Sequence, residues 1–324
     1  MSNTPLTPQF LQLFEIDSAA LAQEAAAGLL AAPAALSPKF FYDALGSRLF
    51  DAITELPEYY PTRTEAAIFT ANADKIAQSL QHALPQGFAM VDLGAGNGAK
   101  AAKWFDRLKP NHYIAVDISV DFMRDAVHSL QCQHPSLPMT AVGMDFSTEL
   151  ALPPGTLNGP ALVFYPGSSI GNFDPEQALR LLQQASELSA GGALLIGVDL
   201  RKDRAVLELA YDDPLGVTAA FNLNLLRHVN QLLGTHFDVR DWRHVGLFNE
   251  RLSRIEMHLE ARRALTVRWP GGERMFAAGE RMHTENSYKW QRNDFEVLLQ
   301  QAGFRQVRCW TDERQWFAVM LASQ

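Results

Sequence analysis

The chain of 324 residues holds only two cysteines, Cys132 and Cys309, far apart in sequence and without the spacing of a ligand set. No metal is therefore expected, and two buried free thiols in a reducing compartment are the simplest reading. Basic residues are scarce as well: 28 Lys and Arg stand against 36 Asp and Glu, a formal net charge of −8. Binding a polyanion draws on clustered basic side chains that release counterions, so a nucleic-acid surface is not expected. No apolar run approaches the ~20 residues that span a bilayer, and the N-terminus lacks a basic region followed by an apolar core and a cleavage site. Repeats and low-complexity linkers are absent. What is left is a globular chain, 47% hydrophobic, large enough for one large or two modest domains. The expected partner is a small molecule, with no nucleic acid and no membrane, the expected location is cytoplasmic, and a monomer would suffice.

The richest stretch is Phe88-Ala-Met-Val-Asp92-Leu-Gly94-Ala-Gly96-Asn-Gly98-Ala-Lys100. An apolar run that stops at an acid and three closely spaced glycines reads as a buried strand turning into a helix, where backbone can lie against a ligand with no Cβ in the way. A second strand ends in Asp117, about twenty residues on, where nucleoside-binding folds hold a ribose diol. A dinucleotide fingerprint wants glycine at the sixth position of its run, where Ala99 stands here, the third glycine falling one place early at Gly98. With Asp92 opening it, the loop looks more like the E/D-x-G-x-G-x-G loop of S-adenosylmethionine-dependent methyltransferases. Asp145-Phe146, closing the third apolar run, fits the acid and neighbour that hold adenine in those enzymes.

From Phe88 to Leu200 apolar runs alternate with helical patterns: Phe88–Leu93, Tyr113–Val116, Met139–Gly143, Ala161–Tyr165 and Ala193–Val198. That order predicts a parallel α/β sheet with helices on both faces and ligands at the carboxyl ends of the strands. Before it, the Ala-rich segment from Ser18 to Ala35 reads as a helix ended by Pro33. After Asp203, residues 204–226 read as helical, and Arg243–Phe248, Arg254–Glu260 and Ala264–Trp269 as strands of an antiparallel extension with a turn at Pro270-Gly271-Gly272. Asn293–Ala302 is expected to be a helix stopped by Gly303, with Gln306–Trp310 and Trp316–Leu321 as closing strands. The expected division is a core of residues 61–203 and 286–324 and a substrate-binding domain of residues 1–60 and 204–285.

Six further stretches agree in order with one family: Tyr42-Asp-Ala-Leu-Gly-Ser47, Leu56-Pro-Glu-Tyr59-Tyr60-Pro-Thr-Arg63-Thr-Glu65, Gly167-Ser-Ser-Ile-Gly-Asn172, Ala210-Tyr211-Asp-Asp213, Phe221-Asn222 and Thr284-Glu285-Asn286-Ser287. Over roughly residues 38 to 320 the chain resembles the histidine-specific Nα-methyltransferases of ergothioneine biosynthesis, which convert L-histidine to its trimethylammonium betaine, hercynine. The resemblance implies an α/β fold: a Rossmann-like class I core, its parallel sheet closed by an antiparallel strand, plus a second substrate-binding domain formed by the N-terminus and an insertion. It also implies S-adenosylmethionine as cofactor, held by Gly94, Gly96, Lys100, Asp117, Asp145 and Phe146, with Tyr42 and Phe50 at its methionine end. Histidine would be held by Tyr59, Asn172, Tyr211, Glu285, Asn286 and Ser287, with Gly167, Phe221 and Met257 as walls or backbone contacts. The family register favours Tyr59, with Tyr60 the alternative.

The chemistry of these residues points the same way. Asn172 offers an amide donor and a carbonyl acceptor, so it can bridge a carboxylate and an amine, and Tyr211 adds a hydroxyl. Glu285 can accept from one N–H of an imidazole while Ser287 donates to, or accepts from, the other nitrogen; two apart, they share a side if the segment is extended. Asn172, Tyr211 and Tyr42 are the candidates nearest the reacting centre. No dedicated base is evident, and a tyrosine hydroxyl or a water beside Asn172 is the expected proton relay. Blander roles exist for each: Asn172 or Asp174 as a helix cap, Tyr59 and Tyr211 as core aromatics, Glu285 paired with Lys289, Asp212 and Asp213 as solvated or capping groups, His258 and His283 as structural residues, Met257 as core. The expected reaction is transfer of three methyl groups in succession to the α-amine of L-histidine. The alternatives are a related amino-acid N-methyltransferase acting on tryptophan or a modified histidine, a silent nucleoside-binding regulator, and a nicotinamide dehydrogenase, whose fingerprint fails at Ala99.

Overall fold

The structure is a computed structural model describing residues 5–13, 18–84, 87–118 and 120–324. The N-terminal reading rests partly on residues 1–4, which lie outside the described residues. The chain divides into two compact units: Met1–Glu15, Arg63–Leu200 and Trp290–Gln324 form the first, Ile16–Thr62 and Arg201–Lys289 the second.

The first unit is built on an eight-stranded sheet. In chain order its first six strands are β1 (Gln9–Gln12), β2 (Ala89–Leu93), β3 (His112–Asp117), β4 (Met139–Gly143), β5 (Ala161–Tyr165) and β6 (Ala193–Asp199). All pair in parallel, in the order β1-β4-β3-β2-β5-β6. Phe317–Ser323 then runs antiparallel beside β6, and Gln306–Thr311 antiparallel beside it in turn. This is a Rossmann-like α/β sheet, its parallel strands closed by an antiparallel pair, as expected. Every residue of β2, β4, β5 and β6 is buried, the mark of strands covered on both faces. Successive residues go to opposite sides: Ala89, Val91 and Leu93 join one apolar cluster and Met90 the other. The order reverses between β2 and β5, which makes the carboxyl ends around β2 the expected ligand crevice. One strand departs from the expected domain division: Gln9–Gln12 pairs with β4, so the start of the chain belongs with the core and not with the substrate domain. Four residues of which none is fully buried are too short to announce a strand.

The second unit combines helices Ser18–Leu30, Ala44–Thr54, Arg204–Tyr211 and Val217–Leu233 with a three-stranded antiparallel sheet, in which Arg254–Ala261 lies between Trp242–Asn249 and Arg281–Tyr288. Leu265–Trp269 and Gly272–Phe276 form a separate hairpin. The single helix expected over 204–226 is two, because Pro214 and Gly216 interrupt it. Asp213 caps the second helix, accepting from the Val217 and Thr218 amides at 3.0 and 2.8 Å. The boundary after the last strand falls at Lys289, so Ser287 and Lys289 belong to this unit and not to the core as expected. Cys132 is exposed and Cys309 half-buried, both free; Cys132, near the end of helix Val120–Gln133, corrects the expectation of two buried thiols. Among the described residues no helix is long and apolar enough to cross a membrane, and no group of three or more His, Cys, Asp or Glu could hold a metal ion.

Candidate functional site

In the first unit the residues expected to hold a donor gather at the carboxyl ends of β2 to β5. The chain leaves β2 with the Gly94 and Ala95 amides both donating to the Val116 carbonyl, at 2.9 and 3.1 Å. Gly94, Gly96 and Gly98 all take positive φ, but for different reasons. A Cβ on Gly94 or Gly96 would meet nothing within 4 Å, whereas one on Gly98 would lie 2.6 Å from a Leu130 methyl and 2.9 Å from the Tyr113 hydroxyl. Gly98 is thus a packing glycine that starts helix Ala99–Leu108, and the other two leave backbone open on the side where a ligand can lie. Asp117, ending β3, accepts from the Gly96 amide at 2.9 Å, so the loop and the second acid form one unit. Beneath them Asp92 is buried and accepts from Tyr113 at 2.9 Å; burial pushes its pKa up to about 7, against the opposing Tyr113 hydrogen bond and Lys100 charge. Asp145 accepts from the Ser147 amide at 3.0 Å, and the Phe146 ring meets Tyr165 edge-on at 5.9 Å.

Glu65, in helix Tyr60–Ala83, joins two of these pieces. Its carboxylate, 1% exposed, accepts from the Gly167 amide at 2.6 Å and from the Lys100 ammonium at 2.7 Å. Gly167 turns at φ +85 into the short helix Ser169–Asn172. Asn172 is half-buried at its end, and it is Asp174 that caps the next helix, through a reciprocal capping box with Gln177. The capping role considered for Asn172 is therefore already filled.

In the second unit a run of rings connects Tyr42, Phe50, Tyr59 and Tyr211, with centroids 6.0, 6.2 and 6.0 Å apart in turn. Phe221 packs on both Tyr42 and Phe50 at 5.9 and 6.0 Å. Tyr60 points elsewhere: it is buried and its hydroxyl accepts from Lys202 at 2.6 Å. On strand Arg281–Tyr288 a register shift between His283 and Glu285 sets the phase, after which Glu285 lies opposite Met257 and Ser287 opposite Ile255. Glu285 and Ser287 thus share one face, with the buried Met257 beside them. Asn286 does not join them. The two-residue period turns it to the other face, where its carbonyl oxygen pairs with His283 Nε2 at 2.8 Å, which corrects its grouping with Glu285 and Ser287. His258 and His283 stack edge-on at 5.3 Å.

The buried side of that strand is polar. Tyr211 and Ser287 share a hydrogen bond of 2.8 Å, and the ammonium of Lys289 donates to both, at 2.9 and 2.8 Å. Burial pushes Glu285 up to about 7, with Lys289 pulling the other way. Glu65 and Lys289 had no site role in the sequence reading. Glu65 ends the stretch Leu56–Glu65, and helical spacing makes Lys289 only a surface partner for Glu285. A strand reading of 284–289 would have placed 285, 287 and 289 on one side.

A family model described as histidine-specific methyltransferase, SAM-dependent, matches residues 21–324. The chain belongs to this family. Among curated members, the histidine N-alpha-methyltransferase of Mycolicibacterium smegmatis is 42% identical, covering 94% of this chain and 96% of its own. That of Mycobacterium tuberculosis is 37% identical, covering 94% and 95%. The much longer ergothioneine biosynthesis protein 1 of Neurospora crassa is 31% identical, over 90% of this chain and 33% of its own length. As a histidine-specific methyltransferase, the chain is an S-adenosylmethionine-dependent enzyme.

Proposed function

We propose that this enzyme methylates the α-amino group of L-histidine three times, giving hercynine for ergothioneine biosynthesis. The observation that carries the substrate is the face shared by Glu285, Ser287 and Met257, with Tyr211 bonded to it: a carboxylate, a hydroxyl and an apolar wall, the groups that suit an imidazole's two nitrogens and its carbon edge. Family membership and close curated relatives that act on histidine support the same reading.

The donor residues fit S-adenosylmethionine on the structure's own terms, since Gly94 and Gly96 leave their backbone open and Asp117 presents a carboxylate beside them. Asp117 would take the ribose hydroxyls, Asp145 and Phe146 the adenine, and Gly94, Gly96 and Lys100 the remainder, with Tyr42 and Phe50 toward the methionine end. When bound, the donor supplies a methyl group on a sulfonium, open to in-line displacement. The chain's task is then to aim one nitrogen lone pair, and positioning of this kind lowers a barrier without a covalent enzyme intermediate. Asn172 would bridge the substrate's carboxylate and amine, and Tyr211 would add a hydroxyl. Tyr59, ringed by Phe50 and Tyr211, suits the substrate better than Tyr60, whose hydroxyl is engaged by Lys202. Gly167 and Phe221 would serve as walls. The amine must shed a proton before each round, and a tyrosine hydroxyl or a water beside Asn172 would relay it.

Mass spectrometry of the enzyme with S-adenosylmethionine and the twenty amino acids tests this directly. Gains of one, two and three methyl groups on histidine alone are expected. Methylation of tryptophan in preference to histidine, or of the imidazole ring in place of the amine, would refute it.

A further inference from the structure

Tyr211 closes the helix Arg204–Tyr211, and a helix leaves its last carbonyls without partners of its own. His244 supplies one. From strand Trp242–Asn249 its Nε2 meets the Tyr211 main-chain oxygen at 2.8 Å, while its Nδ1 stands 2.8 Å from the amide nitrogen of Asn222. That nitrogen also donates to the His258 carbonyl, at 3.1 Å. An amide NH2 only donates, so the Nδ1 facing it carries a lone pair, and the ring proton lies on Nε2, where the Tyr211 carbonyl accepts it. The imidazole is thus uncharged and of one tautomer. Charging it would put an N–H against the Asn222 NH2, and turning that amide over would set its oxygen against the His258 oxygen. Burial acts in the same direction: the His244 side chain is 2% exposed and its pKa is lowered, against the pull of the Tyr211 carbonyl, Asp212 and Asp213.

The same strand also makes room for that carbonyl. Two residues on from His244, Gly246 shares its face and lies opposite Met257, which in turn lies opposite Glu285. A Cβ on Gly246 would stand 2.9 Å from the Tyr211 main-chain oxygen and 3.4 Å from His244 Nε2. The main chain of Tyr211 is therefore packed on the sheet as well as bonded to it. We propose that His244 is a positioning residue: its Nε2–H, with the gap left by Gly246, holds the Tyr211 main chain where the phenol meets Ser287 on the face of Glu285. The proposal rests on the reading that Tyr211 contacts the substrate. Asn222 belongs to the device, because its amide selects the tautomer that can donate to Tyr211. The Phe221-Asn222 stretch thus combines a ring packed on Tyr42 and Phe50 with an amide that acts through His244.

Asparagine and glutamine separate the two ring nitrogens. An asparagine amide reaches as far as Nδ1 and a glutamine amide as far as Nε2, so His244→Asn keeps the Asn222 contact and loses Tyr211, whereas His244→Gln does the reverse. In the full chain at one pH, with S-adenosylmethionine saturating, kcat/KM for histidine should fall by about tenfold to a hundredfold in His244→Asn, the scale of a misaimed contact, and by less than about threefold in His244→Gln. Affinity for S-adenosylmethionine should stay at the wild-type value in both. The loss in His244→Asn should also disappear on a Tyr211→Phe background, where no hydroxyl is left to aim. Gly246→Ala pushes on the same carbonyl and should lower kcat/KM on a similar scale; it carries the comparison if His244→Asn does not fold. Wild-type kcat/KM in folded His244→Asn would overturn the proposal, as would equal losses in the two His244 variants, or a loss as large without the Tyr211 hydroxyl as with it. Tyr211→Phe alone tests the reading beneath. If that variant uses histidine as wild type does, Tyr211 is no substrate contact and both readings fall; if it loses activity and His244→Asn does not, His244 alone was misread.

Discussion

Replacing Glu65 tests whether a buried carboxylate organises the donor side of the first unit. Its two oxygens accept from the Gly167 amide at 2.6 Å and the Lys100 ammonium at 2.7 Å. The packing is close: a Cβ on Gly197 would lie 2.1 Å from Glu65 Oε1. In Glu65→Gln the amide oxygen can keep Gly167, losing the charge assistance, while the new NH2 faces the Lys100 ammonium, donor against donor. Lys100 is 45% exposed, so it can turn to water, and solvent screening keeps its share of the loss below about 1 kcal/mol. The sum is a destabilisation of about 1–2 kcal/mol. Glu65→Ala also strands the Gly167 N–H and opens a cavity, so about 3–5 kcal/mol is expected. Urea unfolding gives these numbers, and titration calorimetry gives the consequence for S-adenosylmethionine, which should bind more weakly in both variants because Lys100 and the Gly167 turn lose their common anchor. A folded alanine variant destabilised by less than about 1 kcal/mol, with wild-type donor affinity, would show that other contacts hold both groups.

Three further outcomes are expected. Asp117→Asn should keep a bond to the Gly96 amide but weaken S-adenosylmethionine by about 1–3 kcal/mol, measured by calorimetry, and an unchanged affinity would move the ribose elsewhere. Gly98→Ala should lower stability by about 2–4 kcal/mol in urea, since it adds strain at φ +66 and contacts of 2.6 and 2.9 Å with Leu130 and Tyr113. Asp92 has a folded pKa of about 7, above its ordinary value of 3.8, so the stability it contributes is complete below about pH 4 and is lost as pH rises toward 7. Asp92→Asn should therefore gain on wild type across that window, by an order of 1–3 kcal/mol, and a pH-independent difference between their unfolding free energies would contradict the assignment.

The parallel strands in the middle of the core were legible because burial on both faces leaves continuous apolar runs, most of them ended directly by a glycine or an acid. What escaped lacks that contrast. Gln9–Gln12 is four residues at a sheet edge, and Gly272–Phe276 exposes Met275 at 74%, so neither shows an apolar period. Arg281–Tyr288 escaped for the opposite reason: its buried positions include Thr284, Glu285 and Ser287, polar residues that blur the alternation by which a strand is recognised. The break between Arg204–Tyr211 and Val217–Leu233 was readable from Pro214 and Gly216.

The same contrast governs the two halves of the candidate site. A glycine loop and its acids can be read from the chain because the requirement is on backbone: φ must be positive, Cβ must be absent, and the acid must stand at a strand end. The face of Glu285 and Ser287 makes no such local demand. Tyr211 and Ser287 are 76 residues apart and Tyr211 and Lys289 are 78 apart, and what they do depends on which hydroxyl gives its proton to which. Ser287 alone could donate or accept, and the groups placed against it, Tyr211 and Lys289, come from outside its own strand. The polar cluster is therefore a property of the assembled unit, and it becomes visible in a sequence only once the phase of the strand that carries Glu285 and Ser287 and leads into Lys289 is known.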